Sequence, residues 1–221
     1  MLEEYKKGKR TFSDINMQFS DLTGANLEGI TIENSKLNFV LLRHSNLRNT
    51  RFINCELFSC GFKSADLTGA VFDGCKIDYG YFDGSIFDNT KMLKCSLSFC
   101  ALFSSGQPDT STSSLFKVFT DASQISQNDL DAAFSGLLPF VENLGFEIKT
   151  QVQSLIKSAT DKIGEPNKLQ QTHYGQEKSY NKSLSMYQMM ERLIMDYAAK
   201  NPYKTSTPYK EKKNKYKNND L

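Results

Sequence analysis

Tryptophan is absent from this chain, and histidine occurs only twice, at His44 and His173. Two imidazoles so far apart in the sequence form no recognised metal or nucleophile motif. Neither histidine has a cysteine or carboxylate at a recognised nucleophile or ligand spacing, so both read as solvated surface residues. A dominant charge is missing too, with 27 basic residues against 25 acidic. No global field advertises nucleic acid or an acidic ligand, and any electrostatic function must be local. Long apolar runs are also missing. No stretch approaches the roughly 18 residues of a membrane span, and the charged start MLEEYKKGKR is followed by no signal-peptide core. A phosphate-cradling glycine loop is not found. The expectation is a soluble, cytoplasmic protein, long enough at 221 residues to bury a core without metals or disulfides.

What is present is a period of five. Stepping by five from Phe12 through Met17, Leu22 and Leu27 to Leu102 gives 19 positions, all large and apolar. Two residues before each stands a mostly small one, among them Ser20, Ala25, Thr50, Ala65 and Ser85, with Arg10, Ile15, Ile30 and Val40 as exceptions. Helices want apolar spacings of three and four, and half-buried strands want alternation, so an unbroken period of five fits neither. A coil with four nearly equal sides does fit, each side one pentapeptide with its large and small residues turned inward. Successive coils then stack at about 4.8 Å, the ordinary strand spacing.

Ala25-Asn26-Leu27-Glu28-Gly29 and Ala65-Asp66-Leu67-Thr68-Gly69 carry the A(D/N)LXX consensus, and here the chain resembles the pentapeptide-repeat family. The resemblance covers about residues 10–104. It implies a right-handed quadrilateral β-helix, a β-solenoid of almost five coils, and it speaks for shape more than activity. The best-understood members imitate DNA and bind type II topoisomerases through a strongly acidic rod. This chain departs from that pattern, with nine basic and ten acidic residues between Arg10 and Ser105.

All five cysteines, Cys55, Cys60, Cys75, Cys95 and Cys100, fall on the small inward position. Neighbouring cysteines then lie on successive sides of a packed coil, so their x4 spacing does not make a zinc site, and they read as small buried hydrophobes. Cys55, Cys75 and Cys95 should share one column, within reach of a strained vertical disulfide. A cytosolic setting favours free thiols. Gly24, Gly69, Gly74 and Gly84 look like corners of coils. No catalytic, cofactor-binding or metal-ligating residue is expected, and the chain is read as no enzyme.

The outward positions carry the candidate site. Stacking by twenty places Phe19, Phe39, Ser59, Tyr79 and Phe99 in one column and Asp21, Leu41, Gly61, Tyr81 and Ala101 in the next. Phe19, Phe39, Leu41, Phe58, Tyr79, Tyr81 and Phe99 should form an apolar seam, and a contiguous apolar patch marks a contact surface. Either the chain's own C-terminal half covers it, or a protein partner or second copy does. The side bearing Glu28, Arg48, Thr68 and Asp88 should be solvated.

The period ends near Leu102, dividing the chain into an N-terminal cap (1–9), the solenoid (10–104), a linker (105–114), a helical region (115–200) and a basic tail (201–221). Ser126 can cap a helix carrying Leu130, Phe134, Leu137, Leu138, Val141 and Leu144, with Pro139 a kink or break. Ile148 to Ile163 give a second amphipathic helix and Leu184 to Ala198 a third. One of them should cap the last coil or lie on the seam. In the tail, Lys204, Lys210, Lys212, Lys213, Lys215 and Lys217 with interleaved tyrosines are either a polyanion contact or a solvated end. The leading functional expectation is a non-enzymatic scaffold or adaptor for protein–protein assembly, using the solenoid surface and the C-terminal helices, with no membrane, cofactor or small-molecule substrate. The alternative is a nucleic-acid-associated protein or topoisomerase modulator.

Overall fold

A computed structural model of the protein describes residues 1–102, 106–120, 126, 128, 129, 132, 135 and 136. Each coil opens with two short strands. The first coil has β1 (Thr11–Ser13) and β2 (Asn16–Gln18), and the second has β3 (Thr31–Glu33) and β4 (Lys36–Asn38). The third has β5 (Arg51–Ile53) and β6 (Glu56–Phe58), and the fourth has β7 (Val71–Asp73) and β8 (Lys76–Asp78). The fifth has β9 (Lys91–Leu93) and β10 (Ser96–Ser98), and β11 (Ser114–Phe116) follows. Pairing is parallel with a shift of one coil: Phe12 lies beside Ile32, Ile32 beside Phe52, and Leu37 beside Leu57. The odd strands make one five-stranded sheet and the even strands with β11 a six-stranded one. Isolated bridges such as Asp21 to Leu41 and Asn26 to Asn46 complete the third and fourth sides.

The large residue of every pentapeptide points inward, and Leu27, Leu47, Phe52, Phe62, Phe72 and Phe82 have no exposed surface. Phe52 stacks on Phe72 at 4.7 Å and Phe62 on Phe82 at 4.6 Å, so ring spacing follows coil spacing. A five-residue side closes because its corner turns the chain sharply. From Asp14 to Phe99, the second residue after each inward one has a positive φ, between 49° and 69°. This left-handed region is routine for glycine, tolerated by asparagine and aspartate, and costly for bulky side chains. Gly24, Gly69, Gly74 and Gly84 are corners, as the sequence suggests.

The N-terminal end is closed by α1 (Leu2–Lys6). Met1, Leu2 and Tyr5 pack against the core, and the Tyr5 hydroxyl donates to the Glu28 carbonyl at 3.2 Å.

At the other end the solenoid runs past the expected boundary. β11 pairs in parallel with β10, Asp109 bridges to Lys91, and Phe119 bridges to Ala101. Residues 109–119 thus form part of a sixth coil, where the sequence reading put a linker and the start of a helical region. The physical reason is the register. Leu97 pairs with Leu115 at a separation of 18 rather than 20, and Thr110 and Thr120 follow Asp109 and Phe119 where earlier coils place large apolar residues. Most of the expected helical region, and the whole basic tail, lie outside the described residues.

Candidate interaction surface

One corner of the solenoid differs from the other three. Its left-handed positions hold Phe19 (φ 49°), Phe39 (φ 56°), Tyr79 (φ 57°) and Phe99 (φ 52°), with Ser59 in the middle coil. The remaining corners hold mainly glycine, asparagine, aspartate and serine, which suit this backbone. A bulky residue there costs roughly 1–2 kcal/mol against glycine, so the aromatics at this corner are held by what they touch. Phe19 stacks on Phe39 at 4.8 Å. Phe58, one residue before the Ser59 gap, bridges it by edge-on contacts to Phe39 at 5.4 Å and Tyr79 at 5.3 Å. Tyr79 then stacks on Phe99 at 5.4 Å, and Phe99 meets Phe116 edge-on at 5.6 Å. Six rings run the length of the solenoid, in the offset and edge-to-face geometries that aromatic pairs prefer.

The ladder and its neighbouring column bring together all seven seam residues picked out in the sequence. Six are buried although they point out of the solenoid: Phe19, Phe39, Leu41, Phe58, Tyr79 and Tyr81 are 1–8% exposed. Phe99 is half-buried. Burial, and secondarily the Asp78 charge, raises the Tyr79 hydroxyl above its ordinary pKa. Beyond the solenoid, Gly136 lies against this aromatic corner, where a Cβ would collide with the Tyr79 hydroxyl. Of the residues expected on a solvated side, Glu28, Arg48 and Asp88 are exposed and Thr68 is half-buried, and this side holds surface contacts such as Arg48 to Asp66 at 3.0 Å.

Sequence reasoning missed a second cluster at the sixth coil. Lys117, a left-handed corner at φ 53°, reaches Asp129 at 2.6 Å. The Ser126 hydroxyl donates to the Asp129 carboxylate at 2.6 Å, and the Asp129 amide donates back to the Ser126 oxygen at 3.2 Å. This reciprocal capping arrangement begins the helical turns that contain residues 128, 129, 132, 135 and 136. Lys117 first, then the Ser126 hydroxyl and amide, hold the Asp129 carboxyl down to about 2. The Ser-x-x-Asp spacing was legible; the lysine was not, because the sixth coil itself was not.

Among the described residues, β11 is the last strand of its sheet at the C-terminal end of the solenoid. Leu115, on an inward position, is 51% exposed, and Phe116 is 58% exposed. They stand on the edge strand β11, beside a cavity of about 580 Å³ lined by Leu102, Pro108, Val118 and Phe119.

The five cysteines are free and buried. Their thiols act as donors: Cys60 to the Leu37 carbonyl and Cys100 to the Ile77 carbonyl, each at 3.2 Å. Burial pushes both thiols up to about 12. Among the described residues no group of three or more histidine, cysteine, aspartate or glutamate side chains is placed to hold a metal ion, and no helix is long and apolar enough to cross a membrane. His44 is an exposed left-handed corner. His173 and the lysines Lys204, Lys210, Lys212, Lys213, Lys215 and Lys217 lie outside the described residues.

A family model for pentapeptide repeats matches residues 35–74 and 65–100, with eight copies. The coiled part of this chain is therefore a pentapeptide-repeat β-solenoid. Among solved structures the chain is similar to QnrB1, a plasmid-mediated fluoroquinolone resistance protein, with 21% identity, 42% of this chain and 44% of that one covered, and a TM-score of 0.32. It is similar also to alr5209, a pentapeptide repeat protein from Nostoc Pcc 7120, with 25% identity, coverage of 44% and 76%, and a TM-score of 0.36. A third is HetL from Nostoc sp. strain PCC 7120, involved in heterocyst differentiation regulation, with 21% identity, coverage of 55% and 62%, and a TM-score of 0.28. The match spans less than half the length of QnrB1. No curated protein matches the chain.

Proposed function

We propose that this protein is a non-enzymatic scaffold whose solenoid joins other protein subunits end-on, through the sixth coil. The exposed pair Leu115 and Phe116 on β11, the last strand of its sheet among the described residues, carries this reading. An edge strand offers backbone donors and acceptors to an incoming strand, and the two flanking apolar side chains add the area that makes such an addition selective. The contrast between the two ends supports it: α1 covers the N-terminal coil, while an inward-pointing leucine stands half in solvent at the C-terminal one. Solenoids present long side surfaces and few convergent polar groups, which suits assembly better than catalysis.

Light scattering over a range of protein concentrations tests the proposal, alone and with candidate partners captured by the intact chain. The Leu115→Lys, Phe116→Lys double variant should abolish assembly while leaving the thermal transition of the inner coils in place. Assembly that survives the double variant unchanged would overturn the end-on reading.

A further inference from the structure

We infer that Cys55, Cys75 and Cys95 form a redox-responsive staple inside the solenoid: a small hydroperoxide oxidises the column to a single disulfide, which clips neighbouring coils together and can move by one coil. The inference concerns the interior of the coils and does not rest on the end-on assembly reading.

The register brings the three together. β6, β8 and β10 pair in parallel, with Glu56 beside Lys76 and Lys76 beside Ser96. The Lys76 amide donates to the Cys55 carbonyl at 2.9 Å, and the Ser96 amide to the Cys75 carbonyl at 2.9 Å. Cysteines on adjacent coils therefore stand about 4.8 Å apart, the strand spacing, and a disulfide accepts α-carbons roughly 4.4–6.8 Å apart. The thiols also point alike. Cys55 donates to the Ile32 carbonyl at 3.4 Å, Cys75 to Phe52 at 3.3 Å and Cys95 to Phe72 at 3.4 Å, each 23 residues back. Hydrogen bonds to Cys55 and then to Cys95 lift Cys75 above the ordinary thiol pKa, and the same contacts hold Cys55 and Cys95 below it.

The other two cysteines supply a contrast. Cys60 and Cys100 share a column with Gly80 between them, where a Cβ would stand 3.4 Å from the Cys100 Sγ. Two coils, about 9.6 Å at strand spacing, keep this pair beyond disulfide reach.

Entry is from the sixth coil. Ser113 follows Cys95 in the column, and its hydroxyl oxygen accepts from the Cys95 amide at 2.9 Å. Ser113 is half-buried and its neighbours Thr112 and Ser114 are exposed, whereas the three cysteines are buried. A hydroperoxide arriving there meets Cys95 first. The Cys95 sulfur takes the terminal oxygen and the O–O bond breaks; the thiol proton goes to the departing oxygen, leaving a sulfenic acid. The Cys75 sulfur then attacks the Cys95 sulfur, the S–O bond breaks, and hydroxide leaves with the Cys75 proton as water. Two thiols are oxidised and one peroxide is reduced. Cys55 lies on the far side of Cys75, in line with the new bond. Its thiolate takes the Cys75 sulfur and releases Cys95 as a thiolate, so the bridge moves one coil with no further oxidant.

The test treats the reduced full chain, folded by circular dichroism and monomeric by light scattering, with hydrogen peroxide. Remaining thiols are alkylated in denaturant and the links mapped by mass spectrometry. The wild type should lose two of its five thiols and give both Cys55–Cys75 and Cys75–Cys95 links, with Cys60 and Cys100 alkylated. Serine already occupies this column at Ser35 and Ser113, so single serine variants keep the fold. Cys55→Ser should give only the Cys75–Cys95 link, Cys95→Ser only the Cys55–Cys75 link and more slowly, and Cys75→Ser neither. The staple is overturned if the folded wild type forms no link, if the links involve Cys60 or Cys100, or if Cys75→Ser still forms a disulfide. Equal rates in Cys55→Ser and Cys95→Ser would overturn entry from the sixth coil.

Discussion

The Thr90 hydroxyl donates to the Leu67 carbonyl, 2.7 Å away and 23 residues earlier in the chain. Ser85 makes the same bond to Phe62 at 2.7 Å, Thr50 to Leu27 at 3.0 Å and Cys100 to Ile77 at 3.2 Å. The small inward position is therefore a donor position as well, stitching each coil to the one before it. Thr90→Val keeps the shape and removes the donor inside a dry core, which should cost about 1 kcal/mol of stability. Thr90→Ser should recover most of that. Urea unfolding of the three proteins measures the difference, and equal midpoints for Val and Ser would contradict the donor role.

Glycine corners separate backbone strain from contact. Gly24 has φ +67° and open space where a Cβ would go, whereas Gly74 has φ +64° and the Asn54 Oδ1 at 2.6 Å from that point. Gly24→Ala should destabilise by about 1 kcal/mol through the left-handed backbone alone. Gly74→Ala should cost more, because Asn54 must also shift from its contact with Asn34. The ratio of the two losses in thermal unfolding is the test.

Acid should loosen the Lys117 to Asp129 clamp before it unfolds the coils. The Asp129 carboxyl titrates at about 2 when clamped, below its ordinary 3.8. A carboxyl depressed in the folded state stabilises above its ordinary value and loses that contribution as pH falls from about 4 toward 2. Exchange protection of 126–136 should decline across this window, and Asp129→Asn should remove the decline while lowering protection at neutral pH. A wild-type profile flat between pH 5 and 2 would rule the clamp out.

Thiol chemistry reports on core closure. Cys60 and Cys100, pushed up to about 12 by burial, are protonated at neutral pH and have no path to reagent. The native protein should resist alkylation, with all five thiols titrating once denaturant is added. Rapid labelling of Cys60 or Cys100 under native conditions would mean that the coils open locally.

The five-residue period revealed the solenoid because its inward residues, Phe12 to Leu102, are apolar without a break. The seam residues followed from the same arithmetic, since a strict twenty-residue turn fixes every column. Two things were hidden. The sixth coil departs from the period by two residues and places threonines where the signal had been leucine and phenylalanine, so the exposed pair Leu115 and Phe116 could not be seen. The left-handed corners were recognised only where they held glycine. Nothing in the residue types Phe19, Phe39 or Tyr79 announces a positive φ, and only the backbone shows that these rings stand at a conformation bulky side chains avoid.

The one-coil register has an arithmetic consequence for the length of this molecule. Five residues make a quarter turn and twenty a full one, as the pairing of Phe12 with Ile32 and Ile32 with Phe52 shows. Removing residues 41–60 would return every following side chain to its own side, one storey lower, with Tyr79 directly above Phe39. Removing five would keep each core residue inside but rotate the aromatic ladder onto a neighbouring corner. Removing one would turn the core outward. Length here is a quantised variable, and only whole turns leave the surface pattern intact.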